Sequence, residues 1–414
     1  MQHVIVIGGG VVGLTSAWWL LEAGYCVTLL ERNNNVASAA SYRNGGQLSY
    51  RYVAPLADAG VPMKAMQWLT QQDGPLRFRL EADPRQWRWL MQFLRNCNGA
   101  SNRRTTAKLL ELGELSRQGM ARLEIKLPLQ EFSWRDAGKL VVYRSKKVFD
   151  SAVARPESEE TRQVLSPADA VALEPALAAV EPALAGGIFT SGEAVADCHA
   201  FCRALETRLR THPRFDGIIH GEARRFITRD GKVSGLETDE HVLHAHHFVL
   251  AAGIQSRSLA ASAGIYLPLY PLKGYSLTAP IRPQDRAPEV SITDFERKVL
   301  YARIGQNLRV AAMVDMVGED TSIDAQRIAG LTRLAREAMP DAADYSQLTP
   351  WAGLRPATPN SAPIIGATRY DNLWLNVGHG PLGFTFACGT ASILADLMSG
   401  KDAPFELGFL SLQG

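Results

Sequence analysis

The segment Val4-Ile5-Val6-Ile7 runs directly into Gly8-Gly9-Gly10-Val11-Val12-Gly13. A β-branched run without polar alternation suits a strand buried on both faces of a parallel sheet. Residues 14–23 then place apolar side chains at helical spacing, Gly24 closes the run, and residues 27–30 read as a second buried strand ending at Glu31. Strand, glycine turn, helix and strand make one βαβ unit, so the chain opens with a parallel, Rossmann-like layer.

The glycines satisfy G-x-G-x-x-G in the context that gives the pattern meaning, after a strand and at the start of a helix. Gly8 permits the tight turn, Gly10 lets a pyrophosphate reach the backbone, and Gly13 lets helix and strand pack closely. The amides of Val11 and Val12 face that anion at the positive end of the helix. Glu31, 18 positions beyond Gly13 and followed by Arg32, suits ribose hydroxyls and repels a 2′-phosphate. NADP is disfavoured, while NAD and FAD both stay open.

The 414 residues suffice for two or three domains, and 46% hydrophobic with 21% charged content is that of an ordinary soluble globular chain. A net charge of +2 supplies no field to gather nucleic acid. Cys26, Cys97, Cys198, Cys202 and Cys388 are odd in number and too thinly spread for a disulfide framework, which suits reduced thiols in a cytoplasm. Met1-Gln2-His3 has no basic residue of the kind that opens a secretory leader, so neither leader nor anchor is expected. His241, His244, His246 and His247 lack the companions of a zinc set; a solvated strand and no metal are expected there.

Residues 37–52 are polar and loop-like, and 63–123 alternate Trp, Arg and Leu in helical patterns. The short tandem over 174–187 reads as a connector. Asp197 is placed to cap a helix to about 211, with Cys198 and Cys202 one turn apart. Residues 218–249 read as a β-meander, 248–252 as a buried strand, 270–314 as mainly strands, 324–338 as a helix, and 364–377 as buried strand before a glycine-rich turn and last helix.

Longer motifs carry a resemblance. Ser41-Tyr42-Arg43-Asn44-Gly45-Gly46-Gln47-Leu48-Ser49, Tyr270-Pro271-Leu272-Lys273-Gly274-Tyr275-Ser276-Leu277-Thr278 and Gly353-Leu354-Arg355-Pro356-Ala357-Thr358-Pro359 closely resemble bacterial D-amino-acid dehydrogenases. Val249-Leu250-Ala251-Ala252-Gly253 and Gly378-His379-Gly380-Pro381-Leu382-Gly383-Phe384-Thr385 resemble the second flavin strand and terminal flavin turn of amino-acid oxidoreductases. The resemblance, to the D-amino-acid oxidase and glycine oxidase superfamily, covers nearly the whole chain. It implies an α+β and α/β architecture in which a Rossmann-like FAD-binding domain (1–55, 186–265 and 350–414) interleaves with an antiparallel-sheet-plus-helices substrate domain (56–185 and 266–349). FAD contacts are implied for Gly8, Gly10, Val11, Val12, Gly13, Glu31, Arg32, Ser41, Asn44, Gly45, Gly46, Gln47, Ala223, Ala252, Gly253, Gly353, Gly378, His379, Gly380, Leu382, Gly383, Phe384 and Thr385. In related sarcosine oxidases a cysteine after the substrate arginine tethers the flavin; here Ala357, Thr358 and Pro359 follow and Cys388 lies in the last helix, so FAD is expected to be non-covalent.

The implied activity is oxidative deamination of a D-amino acid, with hydride transfer from Cα to flavin N5 and hydrolysis of the imine to a 2-oxo acid and ammonia. The resemblance places the substrate carboxylate on Arg355, whose guanidinium can grip it bidentately. Tyr52 and Tyr275 are candidate aromatic walls, and His379 either donates a hydrogen bond near the flavin ring or caps the last helix. Departures from the family pattern are Ala39-Ala40 for Glu-Thr, Arg43 for a small residue, and Asn360-Ser361 for Asp-Gly. A cyclic secondary D-amino acid of the D-proline or hydroxy-D-proline type, and oxygen as acceptor, stay open. So, in another class, do an NAD-dependent dehydrogenase and a non-catalytic dinucleotide-binding protein. Between Arg77 and Lys108 eight basic residues face only Glu81 and Asp83, with Trp87, Trp89, Leu90, Phe93 and Leu94 among them. That composition suits peripheral contact with anionic lipid at the inner face of the cell membrane and electron delivery to a quinone; the alternative is inward-packed tryptophans under solvated arginines.

Overall fold

The computed structural model describes residues 1–69, 71, 74–154, 161–403 and 410–412. The expected helical run crosses 70 and 72–73, and the expected domain segments cross 155–160, 404–409 and 413–414; those positions lie outside the described residues.

The opening unit forms as read: β1 (His3–Ile7), α1 (Val11–Glu22) and β2 (Cys26–Glu31). β1 lies between β2 and the strand His247–Leu250, parallel to both. From edge to edge the sheet runs Ile364–Ala367, Leu373–Val377, His247–Leu250, β1, β2 and Phe215–His220, with only the first strand antiparallel. Val4, Val6, Leu14, Leu20, Val27 and Leu29 are fully buried, and each such side chain contributes roughly 1.5 to 3 kcal/mol. Gly8 has φ +108°, and a Cβ there would stand 2.6 Å from the carbonyl oxygen of Ala251. A Cβ on Gly13 would overlap the carbonyl oxygen of Gly8, so α1 seats on the turn only because neither glycine has a side chain.

A second, nine-stranded mixed sheet orders Thr349–Ala357, Tyr270–Pro280, Asn307–Met316, Val299–Ile304, Ser291–Asp294, Lys139–Tyr143, Gly186–Thr190 and Arg162–Leu165, with Leu76–Phe78 alongside Asn307–Met316. Two expected domain boundaries are corrected here. Gly186–Thr190 pairs with Lys139–Tyr143 and Arg162–Leu165, and Thr349–Ala357 pairs along Tyr270–Pro280, so both strands belong to this sheet and not to the nucleotide layer. The connector contains a 3₁₀ segment, Pro175–Ala183, and the meander is confined to 223–243 because Phe215–His220 joins β2 in parallel. Residues 364–377 form two antiparallel strands.

The expected helical run divides into α2 (Val61–Leu69), α3 (Pro84–Asn96) and α4 (Gly99–Glu124), with Leu76–Phe78 between the first two. Asp83 and Asn98 cap α3 and α4 through their side chains. Asp197 caps α5 (Cys198–Arg210) as expected, and Cys198 and Cys202 are buried free thiols within it. The last helix, α6 (Gly383–Met398), is interior: the segment 380–398 is apolar and long enough to span a bilayer, yet its side chains are mostly buried among α1 and α4. α4 meets α6 backbone to backbone. A Cβ on Gly119 would lie 3.0 Å from that of Cys388, and one on Gly389 would lie 2.9 Å from the amide of Ser116. Ser116 Oγ donates to the carbonyl of Thr385 (2.6 Å) and accepts from the amide of Gly389 (3.0 Å). Among the described residues no three His, Cys, Asp or Glu side chains gather as a metal site; His246 Nδ1 accepts from the His3 amide and His244 Nδ1 contacts the Ser234 carbonyl oxygen.

Candidate active site

Where the two sheets face each other they enclose a cavity of about 1470 Å³, larger than a usual small-ligand pocket and roomy enough for a dinucleotide plus substrate. Every candidate site residue named above borders it except Gly13, whose part is packing beneath the turn.

At the β1 end, Gly10 precedes α1, and a Cβ there would meet only Ser41 Oγ, at 3.4 Å. The amide of Val11 donates to Ser41 Oγ (3.1 Å). The helix terminus therefore offers a cradle that an anion can approach closely. Glu31 is buried and aimed: Oε2 accepts from the amide of Gly9 (2.7 Å), and Oε1 from the amide (2.9 Å) and Nδ2 (2.7 Å) of Asn33. On the loop, Asn44 Oδ1 accepts from the amide of Gly46, which has φ +65° and sits where a Cβ would press on the Ala196 carbonyl oxygen at 2.6 Å. The amide of Ser49 donates to Thr385 Oγ1 (3.2 Å), tying this loop to the terminal turn. Cradle, aimed carboxylate and two glycine-rich turns along one cavity fit an elongated dinucleotide, and Gly8, Gly10, Val11, Glu31, Gly46 and Gly378 are the residues that would hold it.

Arg355 lies on Thr349–Ala357, opposite Tyr270–Pro280. A Cβ on Gly274 would overlap its guanidinium, so the group lies flat on the backbone of the neighbouring strand. Nη1 donates to the Met313 carbonyl (3.0 Å). The acid that acts on it, Asp315, is already committed, with Oδ1 accepting from Arg327 and Oδ2 from the Tyr275 hydroxyl (3.0 Å). Among the described residues no carboxylate comes within 4.0 Å of Arg355. Burial pulls the guanidinium down to about 10 and Asp315 works against that, so it stays charged at neutral pH.

The two tyrosines line the cavity as expected, and the structure adds what each side chain is bonded to. Tyr275 borders the cavity but is a core residue whose hydroxyl is given to Asp315; burial and that carboxylate push it well above the usual phenol range. Tyr52 is half-exposed at the cavity wall, its ring centroid 4.7 Å from Lys139 Nζ. His379 is buried, desolvation pulls it down to about 3, and Nε2 lies 3.0 Å from Thr390 Oγ1. His379 is thus not a cation, and its side chain caps neither the last helix nor the 3₁₀ turn before it. Arg43 is not on the cavity wall; its guanidinium lies 5.2 Å from the ring centroid of Tyr42. Ser361 has φ +64°, which accounts for the glycine usual there, and its hydroxyl accepts from the Leu56 amide (3.0 Å).

Two site residues were not singled out in the sequence. Gly274 reads as an ordinary strand glycine until Arg355 is laid over it. Lys139 heads an apolar strand yet is 3% exposed, and Nζ donates to Gln47 Oε1 (2.5 Å) and Ser49 Oγ (3.2 Å).

The family model described as "FAD dependent oxidoreductase", DAO, matches residues 3–397. The chain belongs to the DAO family. FAD is accordingly the dinucleotide of this DAO-family oxidoreductase, which removes the NAD-dependent and non-catalytic readings. It is 47% identical over 395 residues (95% of this chain, 94% of the other) to "D-amino acid dehydrogenase 2" of Pseudomonas aeruginosa. It is 42% identical to "D-amino acid dehydrogenase 2" of Ralstonia nicotianae, over 96% of each chain. Among solved structures, glycine oxidase from Geobacillus kaustophilus superposes with TM-score 0.75 at 20% identity, covering 100% of this chain and 99% of the other. Glycine oxidase from Bacillus cereus gives 0.73 at 19%, covering 97% and 96%. These last two share the fold.

Proposed function

We propose that this DAO-family oxidoreductase oxidises D-amino acids to 2-oxo acids and ammonia. The observation that carries the reading is Arg355, a charged guanidinium on the wall of the FAD cavity with no carboxylate partner among the described residues; the names of the relatives supply the D-configuration. Bound FAD supplies a hydride acceptor. Arg355 binds the substrate carboxylate and, being pinned by Gly274 and Met313, fixes where Cα stands; such orientation can supply several kcal/mol, up to roughly 7 to 11. Leu272, Phe78, Trp89 and Phe93 keep much of the adjoining wall apolar and limit water around the reacting carbon.

The cofactor is proposed to be non-covalent, since Cys388 is buried in α6 and the other free thiols lie off the cavity wall. Acid precipitation is expected to release FAD into the supernatant, and anaerobic addition of D-amino acids to bleach the bound flavin while their L-enantiomers do not. Flavin retained in the pellet overturns the first statement. Bleaching by L-enantiomers overturns the second, and bleaching by D-proline analogues alone moves the assignment to cyclic secondary amines.

We further propose a membrane quinone as acceptor, reached from the inner face of the cell membrane through α2 and α3. Trp89 packs inward, donating Nε1 to the Ala357 carbonyl (2.8 Å) and stacking on Phe93, as the core alternative requires. Trp87, Met91 and Leu94 instead form an exposed stripe on α3, and Leu80 and, on α2, Met63, Met66 and Leu69 are exposed as well. Leu69, Trp68, Leu90 and Leu94 also border the cavity, so apolar wall is continuous from surface to site. Arg85 is paired with Asp83 and the Arg88 guanidinium lies 4.9 Å from the ring centroid of Tyr266, which leaves Arg95 as the better lipid contact. Co-sedimentation with anionic vesicles is expected, weakened by salt and lost in Trp87→Ser plus Met91→Ser; absence of sedimentation at low ionic strength removes the membrane from the proposal.

A further inference from the structure

Dehydrogenation of an amino acid at Cα requires a neutral amine, yet the substrate arrives as an ammonium. The groups already described cannot take its proton. His379 is a very weak base, the Tyr275 hydroxyl donates to Asp315, and Arg355 is a cation. Two carboxylates on the wall are already engaged, Glu31 by the amides of Gly9 and Asn33 and Glu319 by Arg257.

Lys139 is placed differently. It begins a strand of the nine-stranded sheet, borders the FAD cavity, and bonds to Gln47 and Ser49 of the loop that the terminal flavin turn also grips. A neutral amine has two N–H donors and one lone pair; these two acceptors engage both donors and leave the lone pair unspent. Its surroundings are otherwise poor in charge. Gln47, Ser49 and Tyr52 come from the cofactor loop, and Ser291 and Thr293 from the adjacent strand. Asp294 is held by Arg144, and Arg51 turns its guanidinium to the Ser191 carbonyl. Glu193, after Gly186–Thr190, is the acid that acts on Lys139. It is itself buried, accepts from the amides of Tyr50 and Arg51, and lies beyond 4.0 Å. Burial pushes Lys139 down and Glu193 up, each against the other's charge. Lys298 is the second lysine on the cavity wall pushed down by burial.

We propose that Lys139 is a further catalytic residue of this oxidation, the base that takes the proton of the substrate ammonium. The inference rests on the D-amino-acid reading given above. The step balances: substrate –NH3⁺ and Lys139 –NH2 become substrate –NH2 and Lys139 –NH3⁺, one N–H bond breaking as another forms, and the proton returns to water after the product leaves.

The test follows the rate of anaerobic reduction of bound FAD against pH with D-alanine, or whichever D-amino acid bleaches the wild type. In Lys139→Met the acid limb is expected to rise by about one pH unit or more, toward the ionisation of the free substrate. At neutral pH the rate falls about 10-fold or more, and at high pH it returns near wild type with FAD content unchanged. Lys139→Arg keeps a cation that cannot act as a base and shows the same limb, which serves if the Met variant fails to hold FAD. Methylamine restores reduction in Lys139→Ala at neutral pH. An unmoved limb, a uniform loss at every pH that methylamine does not mend, or a limb that moves with Lys298→Met instead, overturns the assignment. Wild-type bleaching is measured in every arm, so an unmoved limb condemns Lys139 alone, whereas no bleaching of the wild type condemns the D-amino-acid reading.

Discussion

Replacing Arg355 with Met is expected to lower kcat/KM for D-amino acids by about 100-fold or more while the protein stays yellow, because a desolvated charge pair with the substrate contributes about 2 to 5 kcal/mol. The structure makes this an effect on substrate and not on folding. Arg355 has one hydrogen bond, to the Met313 carbonyl, and Asp315 keeps Arg327 and Tyr275 when the guanidinium is gone. Gly274→Val should mimic it by displacing the guanidinium from the strand it lies on. Steady-state kinetics beside the flavin absorbance decides: near-wild-type kinetics removes Arg355 from the site, and loss of colour makes it structural.

The other large effect separates two glycines of one motif. Gly13→Ala puts a Cβ into the Gly8 carbonyl oxygen, backbone against backbone with no side chain able to yield, and is expected to give insoluble or colourless protein at a cost above about 3 kcal/mol. Gly10→Ala meets only Ser41 Oγ at 3.4 Å, so the chain should fold and bind FAD more weakly. Thermal unfolding and FAD titration of the two variants tell them apart. Equal stability would mean that the turn relaxes and that Gly13 is not the packing residue described.

These glycines show what was legible in the sequence. Strand, turn, helix and aimed Glu31 lie within residues 3–31, so their physics is local and the pattern states it. The boundaries at 186 and 350 failed for the opposite reason, since a strand's sheet is chosen by partners far along the chain: Thr349–Ala357 follows Tyr270–Pro280. Arg355 could be named from its motif, but its lack of a carboxylate depends on Asp315 being engaged by Tyr275 and Arg327 from two other segments. Tyr275 could be named as a wall residue, but the bond of its hydroxyl to Asp315 could not. Lys139 was invisible because a lysine heading an apolar strand ordinarily reaches for water, and only the fold brings Gln47 and Ser49 to it.

The contact between α4 and α6 bears on how molecules enter and leave. Gly113 passes against the Tyr50 backbone, Gly119 against Cys388 and Gly389 against Ser116, with main chain at nearly every point of closest approach. Main chain neither swings nor repacks as side chains do, so this seam behaves as a weld that fixes α4 to the flavin layer. Sliding of α4 along α6 is therefore resisted at each glycine of the seam. Trp68, Leu69 and Leu94, on α2 and α3 at the cavity wall, lie outside that seam, where side-chain rotamers can yield to a passing molecule.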